Sequence, residues 1–598
     1  MVLANQVKNL SKQGVLKMEK VNFTINGIAM EGIKGETIMA AAERAGFKIP
    51  KICHTEMQNV GITIKPVTCR VCEVEVNDGK IVASCVAPIR EGLEVKTNSK
   101  LAQESRKKRL EDILADHPQD CLACVRNMSC QLQTLASEMG IREINPTGTR
   151  PIYEIDESSH SLVRDQNKCI YCRRCDAVCS EVQAVHALKA EGKGVDAMVV
   201  TSNGAPLGNT LCVFCGQCAA VCPTGAISIK DDTKRIWEAL HDPDTYVVVQ
   251  IAPSVRAGLG EAFGMPAGEN VAGKLNTALR LLGFDKVLNT NFAADMTIME
   301  EASEFIHRFK NKGTLPMITS CCPSWVKFAE DEYGDLLDHM SSCKSPQGMF
   351  GAVAKTYYAD KIGVDPKKIF SMSIMPCTAK KFEIKREQLA GEVDASITTQ
   401  EIAKMIKESA IDFLNLQDSG FDSIMGEESG AGQIFGVTGG VMQAALRTAY
   451  ETVTLKKLDD LIFEPLVGFK GSGVKEARVN LNGTELRVAV AHELRNAVRL
   501  LDEIRKGESP YHFIEIMACP GGCVNGGGQP YHTFSSNTVS KRSAVLYDED
   551  KNNPIRRSHE NMELKKLYDE FLGKPYYGEN AHNLLHTTYK ANPKGDED

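Results

Sequence analysis

Twenty-one cysteines stand in a chain of 598 residues, and most of them recur at short, repeated spacings. Side chains that must meet at fixed distances constrain a backbone more tightly than any apolar pattern, so the use of these thiols decides the fold. The first seventeen residues, MVLANQVKNLSKQGVLK, hold no apolar core of signal-peptide length and no twin arginine. No stretch approaches the roughly 18 apolar residues of a membrane span. Cytoplasmic residence is therefore expected, and a reducing compartment turns cysteine toward metal ligation or catalysis rather than a disulfide framework. The length suits about four domains. Hydrophobic residues at 43% and charged residues at 25% are ordinary globular values that exclude a disordered or fibrous class. A net charge of −7 offers phosphate backbones no global attraction. The one dense basic run, RKKR at 106–109, lies in SKLAQESRKKRLEDIL and reads as the wet face of a helix, so no nucleic-acid partner is expected.

The first group is Cys53, Cys69, Cys72 and Cys85, spaced C-x15-C-x2-C-x12-C. Before it, VNFTI and IAMEGI flank Asn26-Gly27, a type I′ hairpin signal, and ETIMAAAERAG predicts a helix stopped by Gly46. CEVEVNDGKIVASC predicts a second hairpin. The arrangement resembles a plant-type 2Fe-2S ferredoxin (β-grasp) domain, although the first gap is far longer than x4. Zinc is the alternative for four cysteines, but zinc sites favour two close pairs and this group has one. The second group, HPQDCLACVRNMSC, supplies His117, Cys121, Cys124 and Cys130. Three cysteines lack a fourth partner, and the imidazole is the nearest suitable donor for a 4Fe-4S cluster. The third and fourth groups, Cys169, Cys172, Cys175, Cys179 and Cys212, Cys215, Cys218, Cys222, each read C-x2-C-x2-C-x3-C, the bacterial two-cluster ferredoxin signature. In that signature the fourth cysteine crosses over, so Cys222 should join the first trio and Cys179 the second. Ser180 stands where the first run would carry proline.

Six cysteines remain: Cys321, Cys322, Cys343, Cys377, Cys519 and Cys523. LPMITSCC, MSIMPC and FIEIMACPGGC each carry an apolar, strand-like run ending at a cysteine, and YVVVQIAPS ends the same way without one. Helical stretches such as TIMEEASEFIHRF and GGVMQAALRTAY lie between them, which predicts alternating β and α with a largely parallel sheet from about residue 236. Ligands in such folds bind outside the carboxyl ends of the strands, so four separate segments would converge on one buried site.

TSCCPSW, MPCTAKKFE and MACPGGCVNGGGQP resemble the three signature motifs of iron-only (FeFe) hydrogenases, in the long, multi-cluster form with ferredoxin-like modules. The resemblance implies a multidomain α+β and α/β protein. Its parts would be a 2Fe-2S domain at 18–98, a histidine-ligated 4Fe-4S domain at 99–150 and a two-cluster ferredoxin domain at 151–235. A large two-lobed α/β hydrogenase domain would follow at 236–559, and a C-terminal extension wrapping it at 560–598. It implies an H-cluster whose 4Fe-4S cubane is held by Cys322, Cys377, Cys519 and Cys523, with Cys523 bridging to a two-iron centre bearing CO, cyanide and azadithiolate. One 2Fe-2S and three accessory 4Fe-4S clusters would carry electrons. Lys380, Ser254 and Gln347 match the family's donors to that centre, with Pro253, Met375 and Met517 as apolar wall.

For protons the resemblance implies a path from Cys321 through Glu301, Ser341, Glu304 and Arg308. In TIMEEASEFIHRF, Ile298, Met299, Ala302, Phe305, Ile306 and Phe309 mark one face, and Glu301, Glu304 and Arg308 follow on another. Without the resemblance such a strip reads as a solvated face. The module order also resembles the amino-terminal part of the large electron-wire subunit of respiratory NADH dehydrogenases. The implied partners are H2 and protons, ferredoxin, and iron-sulfur or flavin- and NAD(P)-binding subunits. The chain has no GxGxxG after a strand with which to bind a nicotinamide itself. A second function class is a non-catalytic iron-sulfur relative, an electron-transfer or cluster-assembly protein lacking the two-iron centre; Cys321, Lys380 and the proton-path residues argue against it. Gln443 stands where glutamate is expected, and Cys343 reads as a packed thiol. His582 and His586, in the carboxy-terminal HNLLHTTY, read as packed or solvent-facing rather than as metal ligands.

Overall fold

The computed structural model describes residues 19–57, 62–64, 68–77, 79–144, 151–192, 197–458, 464–465, 473–531 and 536–592. The leading segment before residue 19, residues 145–150 of the second expected domain and the last six residues of the chain lie outside that range.

Strands Lys20–Ile25 and Ile28–Ile33 pair antiparallel around Asn26 (φ 51°) and Gly27 (φ 81°), the left-handed backbone a type I′ turn requires. They continue through Leu93–Lys96, Glu73–Val76 and Lys80–Ala83 into one five-stranded sheet, with Lys20–Ile25 parallel to Leu93–Lys96. Helix Ile38–Arg44 starts where the Thr37 hydroxyl accepts the Ala40 N–H. It packs Ile38, Met39, Ala41 and Ala42 against Phe23, Val74 and Val95, and Cys72 and Cys85 share this core. The long gap between Cys53 and Cys69 is partly a small antiparallel ladder, Thr55–Met57 against Ile62–Ile64.

Helix Lys100–Ala115 does not present RKKR wholly to water. Arg106 is 7% exposed and donates through Nε to the Glu73 carbonyl at 2.6 Å, and Arg109 approaches the Glu73 carboxylate at 3.5 Å. The cause is Glu73, a fully buried carboxylate on the ferredoxin-like sheet that draws cations toward it. A second buried cation joins three modules: Arg174 donates to the Cys53 and His54 carbonyls at 3.5 and 3.3 Å, to Gln131 Oε1 at 3.0 Å and to the Val221 carbonyl at 3.4 Å.

From Tyr246 onward there are two sheets. One is wholly parallel, in the order Lys286–Asn289, Tyr246–Ile251, Ile369–Met375, Ala395–Thr398. Its strands are buried at nearly every position, as expected of a parallel sheet covered on both faces. The other runs Met317–Ile318, Phe513–Met517, Thr484–His492, Val474–Leu481, Glu464–Pro465, parallel at its first two joints and antiparallel beyond. The expected single, largely parallel sheet is thus split, and the second is mixed because residues 474–492 form a hairpin, which needs no crossover helix. Helix Thr290–Lys310 packs on helices Pro346–Val353 and Gly440–Thr454. Buried Glu515 accepts the Gly439 and Met442 N–H groups at 2.7 and 2.8 Å, capping that last helix from the neighbouring strand. Burial pushes its carboxyl up to about 7. No helix among the described residues is long and apolar enough to cross a membrane.

Replacing Arg174 with methionine leaves three carbonyls and an amide oxygen without their donor. A loss of about 3 kcal/mol is expected where the modules meet, read by calorimetry as a lowered first unfolding transition. An unchanged transition would remove Arg174 from its joining role.

Candidate active site and iron-sulfur sites

Each ferredoxin-type group is gathered by local structure. Cys53 and Cys69 share a hydrogen bond, as do Cys72 and Cys85, and the hydrogen bonds from their partners hold the Cys53 thiol down at about 5 and Cys72 at about 7. A single zinc at about 2.3 Å per sulfur would draw its thiolates to within about 4 Å of one another. Among the described residues no three of these thiols lie within 4.8 Å of one another. Two separated pairs fit a two-iron cluster, each iron taking one pair, and not a lone ion.

Cys169, Cys172, Cys175 and Cys222 line one small cavity, and Cys179, Cys212, Cys215 and Cys218 line another. The exchange of fourth cysteines between the runs is therefore present in the geometry. Arg173 (φ 60°) and Gly216 (φ 71°) occupy equivalent left-handed positions, one residue before the short helix that follows the second cysteine of each run. His117 is half-buried after helix Lys100–Ala115, and Cys121–Ala123 form one 3-10 turn. Cys124 lies near Cys130 and so close to Gly225 that a Cβ there would stand 2.9 Å from its sulfur.

The carboxyl ends of both large sheets open on one enclosed, mostly apolar cavity of about 80 Å3. Strand Tyr246–Ile251 delivers Pro253 and Ser254, Ile369–Met375 delivers Met375 and Cys377, Met317–Ile318 delivers Cys321 and Cys322, and Phe513–Met517 delivers Met517, Cys519 and Cys523. Gln347 and Lys380 complete the wall. All six residues expected to form the pocket and all four expected cubane ligands line this one space. Gly522 (φ 99°) makes the approach possible, because a Cβ there would lie 2.7 Å from the Thr438 nitrogen. Burial raises the thiols of Cys322, Cys377, Cys519 and Cys523, so in a dry pocket they need cations to become thiolates. The Ser254 hydroxyl is fully buried and has no partner among the described residues. Such an orphan donor fits a polar or anionic ligand in the cavity.

Lys380 Nζ bonds both oxygens of Glu383 at 3.0 and 2.9 Å and the Cys321 carbonyl at 3.2 Å. Burial disfavours its charge, but Glu383 outweighs burial and raises its pKa. Glu383 is a partner that sequence reasoning missed, though its position three residues after Lys380 was visible. Gln347 differs from the expected free donor: Nε2 is spent on Glu383 at 2.8 Å, and Oε1 accepts from Ser373 and Ser396.

The strip Glu301, Glu304 and Arg308 is not a solvated face. Both glutamates are buried, because helix Thr290–Lys310 is covered on several sides. Burial, and then the Glu301 carboxyl, push the Cys321 thiol well above its ordinary range. Burial raises Glu301 to about 8. Ser341 and the Ser320 N–H face it without closing a hydrogen bond of normal geometry. The Ser341 hydroxyl donates to Glu304 Oε2 at 3.2 Å, and Arg308 donates to Oε1 at 2.6 and 3.0 Å. His582 is exposed, whereas His586 is buried against Ser342 and Glu300. No spacing rule in the sequence links those residues.

Five families match in order along the chain. They are described as 2Fe-2S iron-sulfur cluster binding domain (18–100), NADH-ubiquinone oxidoreductase-G iron-sulfur binding region (106–145), 4Fe-4S dicluster domain (168–226), iron only hydrogenase large subunit, C-terminal domain (245–527), and iron hydrogenase small subunit (536–592). The chain is 46% identical to the NADP-reducing hydrogenase subunit HndD of Solidesulfovibrio fructosivorans, over 96% of this chain and 99% of that one. It is 42% identical to iron hydrogenase 1 of Clostridium pasteurianum, over 95% and 99%. A solved structure of the [FeFe]-hydrogenase HydA1 from Chlamydomonas reinhardtii superposes with a TM-score of 0.55 at 40% identity, covering 60% of this chain and 99% of that one. Similarity that covers 96% of this chain and 99% of a hydrogenase subunit decides between the two function classes: the chain belongs to the iron-only hydrogenases, and it is an FeFe hydrogenase with accessory iron-sulfur clusters.

Proposed function

We propose that the cavity holds an H-cluster, with Cys322, Cys377, Cys519 and Cys523 on the cubane and Cys523 bridging to a two-iron centre with CO, cyanide and azadithiolate. The observation that carries this is the meeting of four thiols, the orphan Ser254 hydroxyl and Lys380 around one enclosed space. When bound, that group supplies the metal centre at which dihydrogen is split heterolytically or formed. The unpartnered Ser254 hydroxyl would donate to its anionic ligands, Lys380 would hold its positive charge at the cavity wall while bonded to Glu383 and the Cys321 carbonyl, and Pro253, Met375 and Met517 would keep water out. Cys321 holds its proton as a neutral thiol at the cavity wall, and Glu301, a carboxylic acid below about pH 8, exchanges protons with it. Ser341, bonded to Glu304 and facing Glu301, is the residue that would pass a proton between them after a small side-chain shift, and Arg308 holds Glu304 in place.

For electrons we assign a 2Fe-2S cluster to Cys53, Cys69, Cys72 and Cys85 in a β-grasp domain. A 4Fe-4S cluster goes to His117, Cys121, Cys124 and Cys130, and two more go to the crossed quartets. Continuity of the route is supported at both joints. Arg174 spans the Cys53 and Cys172 neighbourhoods, and Gln217 Nε2 donates to Cys519 Sγ at 3.3 Å. Leu122, Val125 and Met128 are exposed beside Cys121 and Cys124 and suit docking of a redox partner. The likeness to a protein named as an NADP-reducing hydrogenase subunit supports a multisubunit enzyme whose nicotinamide site lies on another chain; a flavin-bearing partner, ferredoxin as a further carrier and cytoplasmic residence belong to the same proposal.

Cys321→Ala and Glu304→Gln are each expected to lower turnover at least about a hundredfold. Iron content and the intrinsic CO and cyanide infrared bands should stay intact; near-normal hydrogen evolution in either variant refutes the path, and absent bands refute the two-iron centre. Because the folded-state pKa of Glu301 is raised, its proton is held below about pH 8 and lost above it. Hydrogen evolution should then fall by about tenfold per unit beyond that pH; a flat rate up to pH 10 would exclude Glu301 as a carrier. Anaerobic native purification should co-elute flavin and further chains, and elution of this chain alone at full NADP-linked activity would overturn the complex.

A further inference from the structure

Arg308 ends the proton path as far as direct contacts go, yet a guanidinium stays protonated at any working pH and cannot accept what Glu304 delivers. Besides Arg308 and Ser341, Glu304 touches Ser342 and Cys343. The Ser342 hydroxyl lies 3.0 Å from Glu304 Oε2 and 2.8 Å from His586 Nδ1. His586 Nε2 lies 3.1 Å from Glu300 Oε2. Glu300 is itself held by the Tyr568 hydroxyl and the Tyr576 N–H, both at 2.5 Å. His586 caps the end of helix Glu579–Leu585, and the backbone zips this segment to residues 342–344. Cys343 bridges His586, Thr587 N–H bonds the Ser342 carbonyl at 2.7 Å, and Lys344 N–H bonds the Leu585 carbonyl at 2.8 Å.

With Glu300 kept as a carboxylate, the proton inventory of this row can be written in two forms that place the shared proton on Glu304 or on His586. A serine hydroxyl donates once, so it can serve Glu304 or His586 but not both. If Glu304 carries the proton, it donates to Ser342 Oγ, Ser342 donates to Nδ1, and a neutral His586 donates through Nε2 to the Glu300 carboxylate. If Glu304 is a carboxylate, Ser342 donates to it and His586 donates through both nitrogens as an imidazolium facing Glu300. The two forms differ by one proton passed through one hydroxyl.

We propose that His586, on the carboxy-terminal segment, is a proton-accepting branch of the path, exchanging a proton with Glu304 through Ser342 Oγ. One O–H bond breaks at Glu304 and one N–H bond forms at Nδ1; no electron moves. Glu300 supplies the counter-charge for the imidazolium. The other titratable groups facing the ring are Glu304 and Cys343, Tyr576 with ring centroids 5.7 Å away, and His582 stacked at 5.3 Å with its edge in solvent. The assignment rests on the proton path through Glu304 proposed above.

The test uses the cluster-loaded enzyme with three single variants, His586→Gln, Ser342→Ala and Glu304→Gln, and the double variant His586→Gln/Ser342→Ala. Glutamine keeps hydrogen bonds at residue 586 but accepts no proton. His586→Gln and Ser342→Ala should each slow turnover by about tenfold and change the wild-type pH profile of turnover in the same way. The double variant should be no slower than either single one, because both cut the same link. In carboxyl-region infrared spectra near neutral pH, His586→Gln should show a protonated-carboxyl band additional to those the wild type already carries from groups such as Glu301, and Glu304→Gln should abolish that added band. A wild-type pH profile and carboxyl spectrum in both single variants would overturn the branch, as would additive losses in the double variant. If Glu304→Gln itself turns over normally, the main path fails, and the branch with it; if only Glu304→Gln is slow, the path stands and the branch falls.

Discussion

A buried thiol stays protonated unless a cation meets it, and this constraint organises the whole chain. Cys322, Cys377, Cys519 and Cys523 face one dry cavity, where burial raises every one of them. Four thiolates gathered there with no metal would be strongly disfavoured, whereas iron makes the same arrangement favourable and ties folding to cluster loading. Two sheets from distant parts of the sequence must deliver their carboxyl ends to this one space. The apolar walls, the left-handed Gly522 and the carboxylate cap at Glu515 all serve that convergence.

The same reasoning applies where the modules join. Some contacts between them rely on a buried polar group that only the assembled chain satisfies. Arg174 spends its guanidinium on carbonyls from two other modules, and Gln217 reaches from the ferredoxin-like region to Cys519 and to the Asn525 carbonyl at 3.1 Å. At Gly216 a side chain would collide with Thr378 at 2.4 Å, so the dicluster region and the catalytic cavity approach backbone to backbone.

The electron route and the cavity were legible in the sequence because they are built from cysteines at local spacings and at strand ends. Strand ends are predictable from apolar runs, so TSCCPSW and MACPGGC could be assigned to one site before any coordinates. The exchange of Cys179 and Cys222 followed from the duplicated spacing alone. Arg106 was misread because its partner, Glu73, lies on another domain, and a helical wheel carries no information about what covers it. Gln347 lines the cavity, but its two amide ends are engaged by Glu383, Ser373 and Ser396, which are distant in sequence. Ser342 and His586 meet across 244 positions, beyond any periodicity.

That difference in legibility has a physical source. An electron crosses gaps, so its carriers can be discrete, strongly ligated groups that stamp a spacing on the chain. A proton needs an unbroken row of donors and acceptors within hydrogen-bond reach, and nearly any polar side chain qualifies. Helix Thr290–Lys310 shows the consequence: its glutamates look like solvent-facing residues until segments around residues 341 and 586 close over them. Burial then removes water as the competing partner, which confines a proton on Glu304 to the few groups that touch it. On the proposed path the carboxy-terminal segment would therefore do more than cover the catalytic lobe, since His586 and its neighbours close over Glu300 and Glu304 and keep bulk water from them.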